Sequence, residues 1–441
     1  MDSLIEQLIV DFHERPLPTL THREAELPAL SGKIDAVIGM RRTGKTWFLF
    51  QTMQHYLQEG APMETLLYLN FDDERLLPMT AAELGAITDA YYRLFPDHRD
   101  RTCYFFFDEV QNISGWEAWL RRLVDTERAQ IAVTGSSAKL LSREIATALR
   151  GRSLSTEIFP FSFRETLAHE GVDDIPALRP GAKKRALLEN RLRRYLQRGG
   201  FPEVQSVTDE YRVRILQEYV DVVILRDIVE RYRVSNVLPL RALIRHLLAS
   251  PATLFSVNKF HNDLKSQGLA CGKNRLHEYL EYLHDAYLIY PVSIHSRSER
   301  AKRVNPRKVY VIDTGLANAF LHQPRSDWGR LLENFVFMEL RRKGLEIEYY
   351  RTREGFEVDF ITLDRTGERV LYQVSLELRD SGTRDREVRA LSTAMRETGM
   401  RHGTIVSLDA EERIETDAGV IEVVPAWSWA VRQSNGETSV A

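Results

Sequence analysis

The residues best suited to chemistry sit together near the start of the chain. Gly39 to Thr46 read GMRRTGKT, which meets G-x-x-x-x-G-K-[ST] at every fixed position. Gly39 and Gly44 let the backbone curl with its N–H groups facing inward. Those donors, with the positive N-terminus of a following helix, cradle phosphates. Lys45 would reach the β- and γ-phosphates of ATP, and the Thr46 hydroxyl would take one position on Mg²⁺. Met40, Arg41, Arg42, Thr43 and Trp47 complete the expected nucleotide-binding set.

A second constellation follows at a sensible distance. Tyr104 to Phe107 is a continuous apolar run ending in Asp108 and Glu109. Four apolar residues and two acids describe a strand buried on both faces that delivers carboxylates to its C-terminal end. Asp108 would hold Mg²⁺ and Glu109 would polarise the attacking water. Gln130 to Thr134 leads into Gly135–Ser136–Ser137. Thr134 and Ser136 are candidates for sensing the γ-phosphate. Asp72, Asp73 and Glu74, after the strand Thr65 to Asn70, either join the Mg²⁺ shell or form a solvated turn.

Positioning these groups requires strands that alternate with helices. The apolar run Ile34 to Ile38 precedes the loop, and a helical pattern from Lys45 to Gln58 follows it and stops before Gly60. Ser3 to Phe12 reads as a short capping helix, and Ser155 to Phe159 as a further strand. The order predicts a parallel sheet with helices on both faces. With the acid-bearing strand lying between the phosphate-loop strand and the next, the plan is that of the additional-strand P-loop ATPases.

The set GMRRTGKT, FFFDEVQNISGWE, VTGSSAKLL, LRGRS and FPFSF resembles the archaeal and bacterial AAA-type ATPases related to the STAND class. The resemblance is close over the first 165 or so residues. It implies that Arg152, or else Arg150, projects towards a neighbouring subunit's nucleotide as an arginine finger, which requires a homo-oligomer such as a hexameric ring. It also implies that Gly200–Phe201–Pro202 packs Pro202 on the adenine; a plain interhelical turn is the other reading. Residues 166–238 read as a helical lid, with Tyr219 to Tyr232 an amphipathic helix whose core candidates are Val222, Val223, Ile224, Ile228 and Val229.

Residues 239–300 read as a winged helix-turn-helix: helices at Pro239 to Leu248, Ser256 to Gln267 and Cys271 to Asp285, then a strand from Tyr287 to Val292. The third helix would offer Lys273, Asn274, Arg275 and His277 to a DNA groove. The basic run after it, with Arg297, Arg300, Lys302 and Arg303, falls where a wing belongs and suits backbone phosphates. A protein-interaction or autoinhibitory module is the alternative.

Residues 301–441 resemble the PD-(D/E)xK nuclease fold, a restriction-endonuclease-like α/β domain, beginning with a strand at Val309 to Ile312. Glu333 and Asp359 stand where that family needs acids. The third element fails, because Gln373 and Ser375 replace an acid and a lysine. The residues that follow, Leu376, Glu377, Leu378 and Arg379, supply no lysine. The domain is therefore expected to be a degenerate nuclease fold.

Composition sets the frame. The 441 residues carry a formal charge of −3, so DNA contact must use local patches. Two distant cysteines give neither a disulfide framework nor zinc spacing. With no signal peptide or membrane anchor evident, a cytoplasmic, Mg²⁺-dependent ATPase is expected. Its work would be that of a DNA translocase or remodeller, a STAND-like nucleotide switch, or an ATP-dependent nuclease.

Overall fold

A computed structural model of the chain describes residues 2–77, 79–135, 149, 151–172, 180–321 and 328–433. They fall into two compact units, Met1–Phe159 and Pro160–Ala441.

The first unit is built on a five-stranded parallel sheet. Its elements run α1 (Asp2–Glu14), β1 (Ile34–Ile38), α2 (Lys45–Gln58), β2 (Leu66–Asn70), α3 (Gly85–Leu94), β3 (Cys103–Asp108), α4 (Trp116–Thr126), β4 (Ala129–Thr134) and β5 (Ser153–Glu157). The strand order is β2-β3-β4-β1-β5. The strand inserted beside β1 is thus β4, and the acid-bearing β3 lies one place further out. This corrects the expected order while keeping an added strand in the sheet. The reason is register: Ile34 to Val37 pair with Ile131 to Thr134 of β4, leaving β3 to pair with the other edge of β4.

All five residues of β1 are buried, as a central strand covered on both faces requires. Phe48, Leu49 and Met53 of α2 pack on Val37 and Phe106. Phe105, Phe106 and Phe107 are also buried, and each adds about 2 kcal/mol of apolar burial. On α1, Ile5 and Ile9 carry the buried stripe at helical spacing.

The second unit starts with α5 (Phe163–His169), α6 (Ala182–Arg198) and α7 (Asp209–Val222). The expected single helix to Tyr232 instead widens into a π-helix over Val223–Glu230. The widened turn buries Val223, Ile224, Asp227 and Ile228 and leaves Val222 exposed, so Val222 is not a core residue. Next come α8 (Val237–Leu248), β6 (Thr253–Phe255), α9 (Val257–Ser266), α10 (Lys273–Asp285), β7 (Ile289–Val292), α11 (Glu299–Val304) and β8 (Arg307–Val311). Ser256 caps α9 through the Lys259 amide. The three strands form a sheet in the order β6-β8-β7.

Two expectations change here. The basic run is not an open wing, because Ser298 accepts from the Ala301 amide and starts the short helix α11. The strand read as the opening of the last domain is instead the middle strand of this small sheet, antiparallel to both β6 and β7.

The chain ends in a mixed six-stranded sheet, order β13-β14-β12-β11-β10-β9. After α12 (Thr314–Asn318) and α13 (Trp328–Arg342) come β9 (Glu346–Arg351), β10 (Glu357–Leu363) and β11 (Arg369–Ser375). Then follow α14 (Ser381–Thr398), β12 (His402–Ser407), β13 (Glu412–Thr416), β14 (Gly419–Pro425) and α15 (Ala426–Gln433). Leu391, Ala394 and Met395 of α14 close the core over Val358, Leu371 and Ile405.

Candidate functional site

The phosphate loop links β1 to α2 at the C-terminal edge of the first sheet. Gly39 has φ 140° and Gly44 φ 95°, and Arg42 between them takes φ 68°. Gly39 is required twice over. Its backbone lies in a region that side chains disfavour, and a Cβ there would stand 2.3 Å from the Ile158 carbonyl oxygen. Thr43 Oγ1 donates to the Met40 carbonyl at 2.9 Å and braces the loop from inside. Lys45 is buried, and its ammonium donates to the Gly39 and Met40 carbonyls at 3.2 and 3.1 Å. Trp47 stays half exposed, edge-on to Phe50.

Asp108 is the centre of the site. Thr46 Oγ1 donates to Asp108 Oδ2 at 2.7 Å, and Tyr68 Oη reaches the same oxygen at 3.2 Å. Thr134 Oγ1 donates to Asp108 Oδ1. Burial pushes the Asp108 carboxyl above the usual range, against the hydrogen bonds from Thr134 and Thr46 and the Lys45 charge. A carboxylate so desolvated favours a cation beside it. With the glycine cradle and the Thr46 hydroxyl, the residues present fit a Mg²⁺–nucleotide.

Glu109 follows in the left-handed conformation, φ 53° and ψ 44°. Such a non-glycine conformation costs of order 1 kcal/mol and persists where surrounding contacts impose it. Here the Glu109 amide donates to Thr134 Oγ1 at 3.0 Å. Gln111 Nε2 donates to Glu109 Oε2. Thr134 therefore bridges both acids, which places this expected sensor residue in the site. Ser136 and Arg150 lie outside the described residues. Asp73 is drawn into its own turn, capping Arg75 and pairing with its guanidinium at 2.7 Å. Asp72 accepts from Asn112 at 2.8 Å.

Sequence reasoning passed over three positions. Tyr68 sits mid-strand on β2 and reads as ordinary core. Gln111 reads as a loop residue. Arg23 precedes the sheet altogether, yet it is buried and donates to the carbonyls of Thr43, at 2.9 Å, and Phe159, at 2.5 Å. Its amide and carbonyl are clasped by the Gln51 side chain of α2 at 2.6 and 3.0 Å. A lone arginine within a charged, Pro-rich approach carries no periodic signal.

Arg152 precedes β5, where its carbonyl accepts from the Ile34 amide. Its guanidinium pairs with Asp125 at 2.6 Å. The phosphate loop leaves the far end of the adjacent strand, about 16 Å away at 3.3 Å per residue. In the second unit, Pro202 opens a short 3-10 turn. The glycines before it are set by packing: the Gly200 amide donates to Asp313 Oδ2 at 2.7 Å, and its carbonyl accepts from Phe161.

Lys273, Asn274, Arg275 and His277 are all exposed on the first turns of α10, with Arg275 paired to Glu278. Arg297, Arg300 and Arg303 are exposed as well, whereas Lys302 turns to Glu348 of β9 at 2.6 Å. Glu333 and Asp359 do meet, but around a group that the sequence did not suggest. Lys308 Nζ lies 2.8 Å from Glu333 Oε1, Glu357 Oε1 and Asp359 Oδ1. The residues after Ser375 supply no lysine, as the sequence shows, but one reaches this centre from β8, far from β11 in sequence. Gln373 accepts from the Asp359 amide at 3.2 Å and donates to Glu387 at 2.7 Å, while Ser375 donates to the Glu377 carbonyl.

Comparison with known proteins places this geometry. Residues 31–167 match the family described as AAA domain. Residues 189–327 and 328–429 match two domains of unknown function, DUF8612 and DUF4143. An uncharacterized protein of Methanocaldococcus jannaschii is 35% identical over 439 residues, covering 97% of this chain and 95% of that one. The chain belongs to that protein's family. A second relative, an uncharacterized protein of Haemophilus influenzae, is 29% identical over 346 residues, 78% of this chain and 83% of that one. Among solved structures, a Walker-type ATPase of Pyrococcus abyssi matches with a TM-score of 0.40 at 15% identity, covering 69% of this chain and 99% of that one. The chain joins an AAA domain with its P-loop to a sheet-rich C-terminal part. Among the described residues, no helix is long and apolar enough to cross a membrane.

Proposed function

We propose that this chain is a Mg²⁺-dependent ATP hydrolase whose work is done on DNA, as an oligomeric translocase or remodeller of duplex or branched DNA. The observation that carries the ATPase reading is the Thr46–Asp108 hydrogen bond, which joins the phosphate loop to the acidic strand end. ATP with Mg²⁺ would supply the phosphoryl group that water attacks. The loop amides and Lys45 would hold its phosphates, and Thr46 and Asp108 would hold the cation. Glu109 orients the water and takes its proton, with Thr134 keeping the Glu109 backbone in place.

Arg152 sits too far from its own phosphate loop to serve it, so we assign it to a neighbouring subunit's nucleotide. A homo-oligomer, for instance a hexameric ring, then completes the site. Pro202 is assigned to the adenine on the family resemblance. The DNA reading rests on the second unit. Its order helix, strand, two helices, strand, short helix and strand, with sheet order β6-β8-β7, supports a winged helix. The exposed Lys273, Asn274, Arg275 and His277 open its third helix. A cleft of about 690 Å³ beside it is lined in part by Arg297, Lys302, Arg341 and Arg369.

One observation favours the second reading, a STAND-like switch. Gln111 engages the Glu109 carboxylate, which suits slow, controlled turnover. Steady-state ATP hydrolysis decides, measured without DNA and with single-stranded, duplex and four-way-junction DNA at low and moderate salt. Glu109→Gln is the control. Stimulation by one DNA form that fades as salt rises supports the motor. A slow rate unmoved by DNA, with ADP retained through purification, moves the assignment to the switch.

A further inference from the structure

The carboxylate centre of the C-terminal sheet lies outside the ATPase reading and stands independently of it. Lys308 on β8 is 5% exposed. Its ammonium has three protons and three carboxylate partners at 2.8 Å: Glu333 from α13, and Glu357 and Asp359 from β10. Two of the three carboxylates have further support. Tyr310 Oη donates to Glu333 Oε1 at 2.8 Å, and the Val374 amide donates to Asp359 Oδ2 at 2.9 Å. Two of these carboxylates, Glu333 and Asp359, are those that the nuclease resemblance assigns to a divalent cation.

The residues do not fit that cation. An ammonium at hydrogen-bond distance from all three carboxylates occupies the point where their oxygens converge, and Mg²⁺ or Ca²⁺ would need the same oxygens at about 2.0 to 2.6 Å. Nor is the lysine placed to act as a base. Burial works to discharge it, but Asp359, Tyr310, Glu333 and Glu357 together hold it well above its ordinary range. The lysine that a nuclease carries on β11 is Ser375 here, and that serine is bonded to the Glu377 carbonyl.

We propose that Lys308 is the built-in cation of this centre: its ammonium replaces a divalent metal ion and clasps the three-stranded sheet to the C-terminal sheet. The carboxylates are kept to bind the lysine and not to cut phosphodiesters. β8, α13 and β10 then move as one body, so the three-stranded sheet and the C-terminal sheet of this unit share any displacement.

The test uses the full-length protein without nucleotide, with bound Mn²⁺ counted by electron paramagnetic resonance and the thermal midpoint followed in parallel. Wild type should hold no Mn²⁺ that Asp359→Asn loses. Lys308→Met leaves buried carboxylates uncompensated, so its midpoint should fall by about 10 °C. It should take up one additional Mn²⁺ per chain and regain at least half of the loss in millimolar Mn²⁺. An ion held by wild type and lost in Asp359→Asn overturns the proposal, because metal and lysine would then coexist. A folded Lys308→Met with an unchanged midpoint and no additional ion overturns it too. Should Lys308→Met fail to fold, the double variant Lys308→Met/Asp359→Asn removes a cation and an anion together. Its folding supports charge balance as the lysine's role, and its failure to fold refutes it.

Discussion

Thr46 and Asp108 lie 62 positions apart in the chain, yet the hydroxyl of one rests 2.7 Å from a carboxylate oxygen of the other. The contact exists because β1 and β3 are parallel members of one sheet, with their C-terminal ends at the same edge. Asp108→Asn would turn a bare acceptor into a group that also donates, facing hydroxyls that already donate to it. ATP turnover should fall at least about 100-fold, a loss typical of removing a preorganised charge, while the apparent melting temperature drops by only a few degrees. Initial rates across a Mg²⁺ titration check this. Saturation at unchanged Mg²⁺ would refute the metal role.

Glu109 is held in a left-handed conformation by Thr134 and engaged by Gln111. Glu109→Gln should cut turnover by roughly 10² to 10⁴, the range for loss of a general base, while ATP binding stays within a few-fold of wild type. Gln111→Ala should raise the basal rate if its contact restrains the base. Rapid-quench turnover and equilibrium binding of a fluorescent ATP analogue separate the two effects.

Gly39 leaves no room for a side chain, with the Ile158 carbonyl 2.3 Å from any Cβ. Gly39→Ala should abolish measurable nucleotide binding and lower the thermal midpoint. Gly32→Ala has open space around its Cβ and a left-handed φ of 73°, so it should cost about 1 kcal/mol and leave nucleotide binding intact. Binding by the Gly39 variant would show that the loop can rebuild.

Arg23 ties the segment before β1 to the loop carbonyl of Thr43 and to Phe159 at the exit of β5. Arg23→Ala removes two charge-assisted hydrogen bonds inside the first unit and should cost about 2 to 4 kcal/mol. A positioning role predicts more than lost stability: KM for ATP should rise several-fold at temperatures where the variant is fully folded. Denaturant melts and ATP titrations at 20 °C distinguish the two.

Asp35 is buried on β1, and desolvation lifts its carboxyl from 3.8 to about 6. One of its oxygens has no hydrogen-bond partner. A raised acid pKa favours the folded state below the unfolded value, and that contribution is lost as pH climbs through the folded one. Stability should therefore decline between about pH 4 and 6 and then level off, a change of roughly 3 kcal/mol for this group. Asp35→Val should flatten that part of the curve and be more stable than wild type at pH 8. Urea midpoints from pH 4 to 8 test it, and a variant with an unchanged slope would clear Asp35 of the effect.

Much of this protein was legible from the sequence because its signals are local. A strand, a glycine turn and a helix must be contiguous for the phosphate loop to exist, so GMRRTGKT and its flanks announce themselves, and β1 and α2 begin and end where the pattern places them. The pairing of Asp108 with Glu109 is equally local, since both close one apolar strand. What the tertiary structure decided is who meets whom. Placing β4 beside β1 follows from sheet register, which no single stretch encodes. Tyr68 and Arg23 join the site through packing between distant segments, and neither residue type is unusual where it stands. Lys308 shows the reason most plainly. A buried ammonium needs several acceptors converging on one point, and only the folding of β8, α13 and β10 against one another brings Glu333, Glu357 and Asp359 to it.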